Sequence, residues 1–250
     1  MDRKIRVAAV SYLNTKPLIY GFAGSELMNE MELLQDFPAR VAQQLIDGVV
    51  DVALVPVAVI PQIPGAEIIS DFCIGASQPV ASVCLFSDVP LEKITAIYLD
   101  YQSRTSVALL QLLLREKWKL QPELIPAEPG FEKSITGSRA GLVIGDRAFK
   151  QLQHAPYVYD LAEHWQEWTG LPFVFAAWVA NKPLPSSFKT AFNQATGKGL
   201  QHLDEIIRKV NYHTYDLHTY YTQNIDYILD EPKRKGLALF LQKIASHPND

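Results

Sequence analysis

Residues 6–18, Arg6-Val7-Ala8-Ala9-Val10-Ser11-Tyr12-Leu13-Asn14-Thr15-Lys16-Pro17-Leu18, run a strand of small and β-branched residues straight into polar side chains and a helix start. In open α/β sheets, small ligands dock in the crevice beyond the carboxyl ends of the strands, so Ser11, Tyr12, Asn14 and Thr15 are placed to face one. Thr15 followed by Pro17 reads as a helix cap with proline in the first turn, which aims unpaired N–H groups at the same crevice and favours an anion there.

Working outward, strand and helix patterns alternate through two thirds of the chain. A short strand at 31–35 precedes Asp36-Phe37-Pro38, a helix start whose Val41, Leu45 and Ile46 share one face before Gly48. Residues 51–57, Asp-Val-Ala-Leu-Val-Pro-Val, form a nearly continuous apolar run, the pattern of a strand covered by helices on both faces. Further strands are read at 67–74, 82–87 and 94–99. A helix after Ser103-Arg104-Thr105-Ser106 carries Val107, Leu110, Leu114 and Trp118 at helical spacing. Residues 122–127, 131–136 and 140–144 read as strand, helical turn and strand, ending at Gly145-Asp146. The run 171–179 is another apolar strand, and helices are expected near 186–209, 215–229 and 231–246.

This layout predicts an α/β protein of two lobes with a cleft between them and a helical C-terminal tail. Residues 1–86 with 179–250 would form a discontinuous first lobe and 87–178 an inserted second one, joined by hinge strands near 82–90 and 172–182. The chain has 250 residues, 48% of them hydrophobic, enough for an ample core. A formal charge of -4, from 23 Lys and Arg against 27 Asp and Glu, opposes a nucleic-acid or anionic-membrane footprint. No run of apolar residues is long enough for a membrane span. The opening Met-Asp-Arg-Lys-Ile-Arg-Val lacks the apolar stretch of a secretory signal, so a cytoplasmic location is expected. Cys73 and Cys84 form no ligand pair, and with no clustered His no metal site is expected. The six histidines, at 154, 164, 202, 213, 218 and 247, stand outside every strand-end motif and read as surface or structural groups.

The stretch Ser11-Tyr12-Leu13-Asn14-Thr15-Lys16-Pro17-Leu18 resembles the opening motif of the chorismate dehydratases of the futalosine route to menaquinone. The similarity continues in Asp51–Val57, Pro79-Val80-Ala81-Ser82-Val83, Ser103–Val107, Ile144-Gly145-Asp146 and Trp168–Val174, while the tail resembles the family only in its helical character. The resemblance implies the fold of type II periplasmic binding proteins, a single small-molecule substrate, chorismate, and no cofactor or metal. The implied reaction is loss of water from chorismate to give 3-[(1-carboxyvinyl)oxy]benzoate. It leaves oligomeric state open between monomer and homodimer.

A cleft for a molecule with two carboxylates needs two anion receptors and a group near the leaving hydroxyl. Asn14 and Ser82 are the catalytic candidates, an amide that donates and accepts and a hydroxyl on the hinge side. Asn14 could equally shape the turn, and Ser82 could be a strand-edge serine satisfied by backbone. Ser11, Tyr12, Ser103, Thr105, Ser106, Asp146 and Phe173 are substrate-binding candidates. Ser103–Ser106 open an amphipathic helix whose N-terminus suits a carboxylate, although any such helix needs a cap. Arg104 fits a carboxylate fork and a solvated position alike. Asp146 would repel a dianion unless protonated or paired, and could simply cap the segment that follows it. Trp178 is assigned to the core. With no evident protein base, a substrate carboxylate is expected to take the ring hydrogen. The competing readings are a non-catalytic small-anion binding protein of the same fold and the related 1,4-dihydroxy-6-naphthoate synthase, which needs a base and a larger cleft.

Overall fold

The computed structural model describes residues 3–246, and its strands fall into two sheets. The first holds β1 (Ile5–Val10), β2 (Met31–Asp36), β3 (Val52–Pro56), β4 (Glu67–Ala76), β10 (Phe173–Ala180) and β11 (Asp226–Ile228), in the order β11-β4-β10-β3-β1-β2. The second holds β5 (Val83–Ser87), β6 (Ala96–Leu99), β7 (Glu123–Pro126), β8 (Arg139–Ile144) and β9 (Tyr157–Asp160), in the order β7-β6-β8-β5-β9. β1 lies parallel to β2 on one side and β3 on the other, so the chain reverses direction across the sheet at β1. That reversal opens a crevice beyond its carboxyl end.

β3 is apolar throughout and wholly buried, because the helix Pro38–Ile46 covers it with Val41, Ala42 and Leu45 while other elements close the opposite face. The helix Ser186–Leu200 packs on β4 and on the helix Lys16–Tyr20. That second approach is close enough that a Cβ at Gly199 would run into the Pro17 carbonyl, which requires glycine there. The helix Glu231–Ala245 lies against β10.

The hinge strands are not where the sequence pattern put them. β5 pairs along its length with β8 and β9 inside the second sheet, and β10 pairs with β3 and β4 inside the first. The chain therefore changes sheets through residues 77–82 and 161–172, and neither apolar strand bridges the lobes. The tail also differs. The expected helix at 186–209 is two helices, Ser186–Leu200 and Leu203–Val210, and the expected helix at 215–229 is a short turn, Leu217–Thr219, a wider turn, Tyr220–Asn224, and β11. The run before β10, to which the sequence pattern assigns no element, contains β9 and the helix Leu161–Thr169, whose first turn is capped by the Asp160 carboxylate accepting from Ala162 and Glu163 N–H groups.

Candidate functional site

Between the sheets lies a cavity of about 570 Å³ of space, part of it open to solvent. The carboxyl ends of β1 and β3 supply Val10 and Pro56, and the loop after β1 supplies Tyr12 and Asn14. The crossing segment supplies Val80 and Ser82, and the start of the helix Thr105–Leu112 supplies Ser103, Thr105 and Ser106. Gln102 and Gly145 also line it, and Pro38, Ile74, Val83, Ile144, Phe175 and Ala176 make the apolar remainder.

The structure thus brings Tyr12, Asn14, Ser82, Ser103, Thr105 and Ser106 to one cavity. Ser11 is exposed and outside the lining. Phe173 is also outside it. Its ring is buried 5.3 Å from Trp165 and 5.0 Å from Phe240, and Phe175, two residues along β10, lines the cavity instead. Trp178 is fully buried in the core. Thr15 makes no side-chain cap bond at its helix. It sits in helical backbone geometry, where the hydroxyl reaches the Asn14 Oδ1 instead, at 3.4 Å. None of His154, His164, His202, His213 and His218 lines the cavity, and His247 lies outside the described residues.

Asp146 does not face the cavity either. Its carboxylate crosses the seam between lobes to accept the Leu13 N–H at 3.2 Å. Burial pushes that carboxyl up to about 6, against the pull of the Leu13 N–H and the charges of Lys16 and Arg147. Two more contacts close the seam. The Tyr12 hydroxyl donates to the Gln102 Oε1, and the Ala58 N–H donates to the Thr105 Oγ1 at 3.1 Å. Burial and the nearby Asp100 carboxylate push the Tyr12 hydroxyl up, so it stays protonated. The Tyr12 ring rests on Gly145, whose φ is +65° and whose absent Cβ would lie 3.2 Å from that ring.

Three tyrosines of the tail, which no motif signalled, hold the same wall. Tyr221 donates to the Leu13 carbonyl at 3.1 Å, Tyr227 to the Asn14 carbonyl at 2.9 Å, and Tyr220 to the Ser82 Oγ at 2.9 Å. On the other wall, Asp100 is buried and accepts from the Ile144 N–H, the Gln102 N–H and Arg147, whose Nη2 approaches to 2.6 Å. Arg147 continues to Glu132 at 2.7 Å. The Ser103 Oγ accepts the Ser106 N–H at 3.1 Å and so tightens the first turn of the helix that points into the cavity. Among the described residues no three His, Cys, Asp or Glu side chains converge to hold a metal ion, and no helix is long and apolar enough to cross a membrane. The lining offers neutral donors and acceptors, a helix N-terminus and an apolar floor, the equipment for holding a small organic anion out of water.

A profile of the menaquinone biosynthesis family matches residues 5–246, from β1 to the end of the last helix. The chain belongs to that family. It is 30% identical to the chorismate dehydratase of Thermus thermophilus over 257 residues, which cover 93% of this chain and 92% of that protein. Among solved structures, a protein of Archaeoglobus fulgidus superposes with a TM-score of 0.75 at 15% identity, over 98% of each chain. The periplasmic aliphatic sulphonate binding protein of Escherichia coli superposes with a TM-score of 0.60 at 14% identity, over 98% of this chain and 91% of that one. The menaquinone biosynthesis family member described here therefore has the periplasmic-binding-protein fold, with the motif residues Tyr12, Asn14, Ser82 and Ser103–Ser106 gathered at its interlobe cleft.

Proposed function

We propose that the protein dehydrates chorismate to 3-[(1-carboxyvinyl)oxy]benzoate. The reaction is redox-neutral: a ring C–H bond beside the enolpyruvyl ether and the adjacent C–OH bond break, the new double bond completes an aromatic ring, and water leaves. The observation that carries this reading is the composition of the lining. Its polar groups, Tyr12, Asn14, Ser82, Gln102, Ser103, Thr105 and Ser106, are all neutral, with no carboxylate, histidine or lysine among them. A dianion meets no fixed negative charge there. No side chain of this lining is poised as a base, so in this reading a carboxylate of the substrate takes the ring hydrogen.

In this reading the helix N-terminus with Ser103, Thr105 and Ser106 receives a carboxylate. Asn14 and Ser82 steady the charge that develops as the hydroxyl leaves, and the apolar floor excludes water. The 30% identity to a chorismate dehydratase supports the same substrate.

The test is to add purified protein to chorismate and identify the product by mass and aromatic absorbance. Conversion with loss of one water is expected, and Asn14→Ala and Ser82→Ala are each expected to lower kcat/KM by about 10²-fold, the scale of losing one preorganised donor. Binding of chorismate without turnover would return the chain to the class of small-anion binding proteins. Variants within a few-fold of wild type would remove Asn14 and Ser82 from the chemistry.

A further inference from the structure

Ser82 lies just before β5, at the rim of the second lobe, yet its hydroxyl is held by the tail of the first. Its backbone is fixed at both ends. The Ser82 N–H donates to the Val80 carbonyl at 2.7 Å, and its carbonyl accepts the Gly145 N–H at 2.8 Å. The preceding residue, Ala81, is held at a φ of +62° while its own N–H donates to the Asp160 carboxylate at 2.7 Å. What the backbone leaves free is rotation of the hydroxyl proton. A serine oxygen has one proton and two lone pairs, so whatever donates to it decides where the proton goes.

The donor is Tyr220, whose side chain is fully buried and whose hydroxyl sits 2.9 Å from the Ser82 Oγ. Its ring is clamped edge-on against Phe149, centroids 4.8 Å apart at 86°, and lies 5.6 Å from the Tyr221 ring. Its backbone carbonyl accepts the Ile225 N–H at 2.9 Å at the end of the wide turn. A tyrosine held this way cannot swing out, and its hydroxyl stays at the Ser82 and Asn14 side chains. Burial also pushes its hydroxyl far up, so it stays protonated and able to donate, with the Ser82 and Asn14 side chains pulling the other way.

We infer that Tyr220 is a positioning residue for the elimination. Its hydroxyl occupies one lone pair of the Ser82 Oγ, which turns the serine proton into the cavity toward the departing substrate hydroxyl. Accepting that bond also makes the serine a better donor, since hydrogen bonds in a chain polarise one another. The tail is then part of the catalytic arrangement, although Tyr220 touches no substrate atom. This inference rests on the chorismate reading above.

The experiment compares wild type, Tyr220→Phe, Ser82→Ala and the double variant with chorismate as substrate. Tyr220→Phe keeps the ring and its packing and deletes one oxygen. We expect kcat to fall about five- to ten-fold, the scale of one hydrogen bond, with KM within about two-fold. In the Ser82→Ala background the same change should cost nothing further, because its effect passes through the serine oxygen. A merely structural tyrosine would give multiplicative losses in the double variant, and that result, or an unchanged kcat in Tyr220→Phe, overturns the inference while leaving the chorismate reading intact. Wild type that leaves chorismate untouched overturns both. If Tyr220→Phe does not unfold cooperatively, 3-fluorotyrosine at position 220 takes its place. It keeps the donor and strengthens it, so kcat should rise at constant KM, and an unmoved kcat again counts against the inference.

Discussion

Where the first lobe's wall of the cleft hangs on tyrosine hydroxyls, with Tyr221 and Tyr227 holding the Leu13 and Asn14 carbonyls, the second lobe's wall hangs on a buried carboxylate. Asp100 gathers the Gln102 and Ile144 N–H groups, and Arg147 neutralises it from behind. The difference follows from distance to the ligand. Groups that touch the cavity are neutral on both sides, so the site offers dipoles to a dianion and no competing charge. The ionic cluster of Asp100, Arg147 and Glu132 stands a layer back, where Arg147 sits between the two carboxylates and Asp100 sets the backbone that carries Gln102. A neutral anchor and an ionic anchor respond differently to mutation, pH and strain, and those responses separate the two walls.

The largest effect is expected on the ionic side. The Asp100 side chain is fully shielded from solvent, so Arg147→Met leaves a buried carboxylate without its counter-charge. Burial already pushes that carboxyl up against the pull of Arg147. Breaking one partner of a buried pair costs about 3–5 kcal/mol, and urea unfolding should show it. Tyr221→Phe on the neutral wall should cost about 1 kcal/mol in the same assay. Equal losses would mean that the two walls are anchored alike.

The same contrast explains what could be read from the chain alone. The first lobe's framework was legible because its signals are local. β3 is a continuous apolar run, Pro38 opens a helix with one apolar face, and the polar segment 11–15 sits at a strand end. The cavity residues drawn from such segments, Tyr12, Asn14, Ser82, Ser103, Thr105 and Ser106, came together. The anchors were not legible. Asp100 and Arg147 lie 47 positions apart, Tyr220 meets Ser82 across 138, and nothing in spacing announces either pair. β9 has four residues and β11 three, too few for a period of two to register, so the aromatic tail passed for helix. The sequence points to Phe173 where Phe175 lines the cavity, because alternation cannot tell one face from another in a strand buried throughout.

The next effect lies on the seam where the walls meet. Asp146, pushed up to about 6 mainly by burial, reaches across to the Leu13 N–H. Its ordinary value is 3.8, so between there and about 6 the folded chain binds more protons at this group than the unfolded chain does. Its contribution to stability is therefore full below the lower value and is lost as pH rises through the upper one. Discounted for partial exposure, the swing is about 1–2 kcal/mol. Asp146→Asn keeps an acceptor for Leu13 and cannot ionise, so it should flatten the unfolding free energy across that window and leave the variant more stable than wild type near neutrality. A wild-type profile without that fall would mean that the seam tolerates the charge.

The smallest effect concerns Ala81, where the walls share a loop. A φ of +62° is left-handed backbone, which costs an L-residue about 1–2 kcal/mol and glycine almost nothing. Glycine brings back about 0.5–1 kcal/mol of chain entropy to be lost on folding, so Ala81→Gly should gain about 0.5 kcal/mol, or roughly 1–2 °C in Tm for a chain of this size. The gain should come with a loss of rate, because the strained residue is what stops the loop from carrying Ser82 away from Tyr220 and the cavity. A higher Tm with unchanged kcat would assign the placement of Ser82 to its hydrogen bonds alone. A lower Tm would mean that the buried Ala81 methyl, which packs in the core, contributes more than the strain that glycine releases.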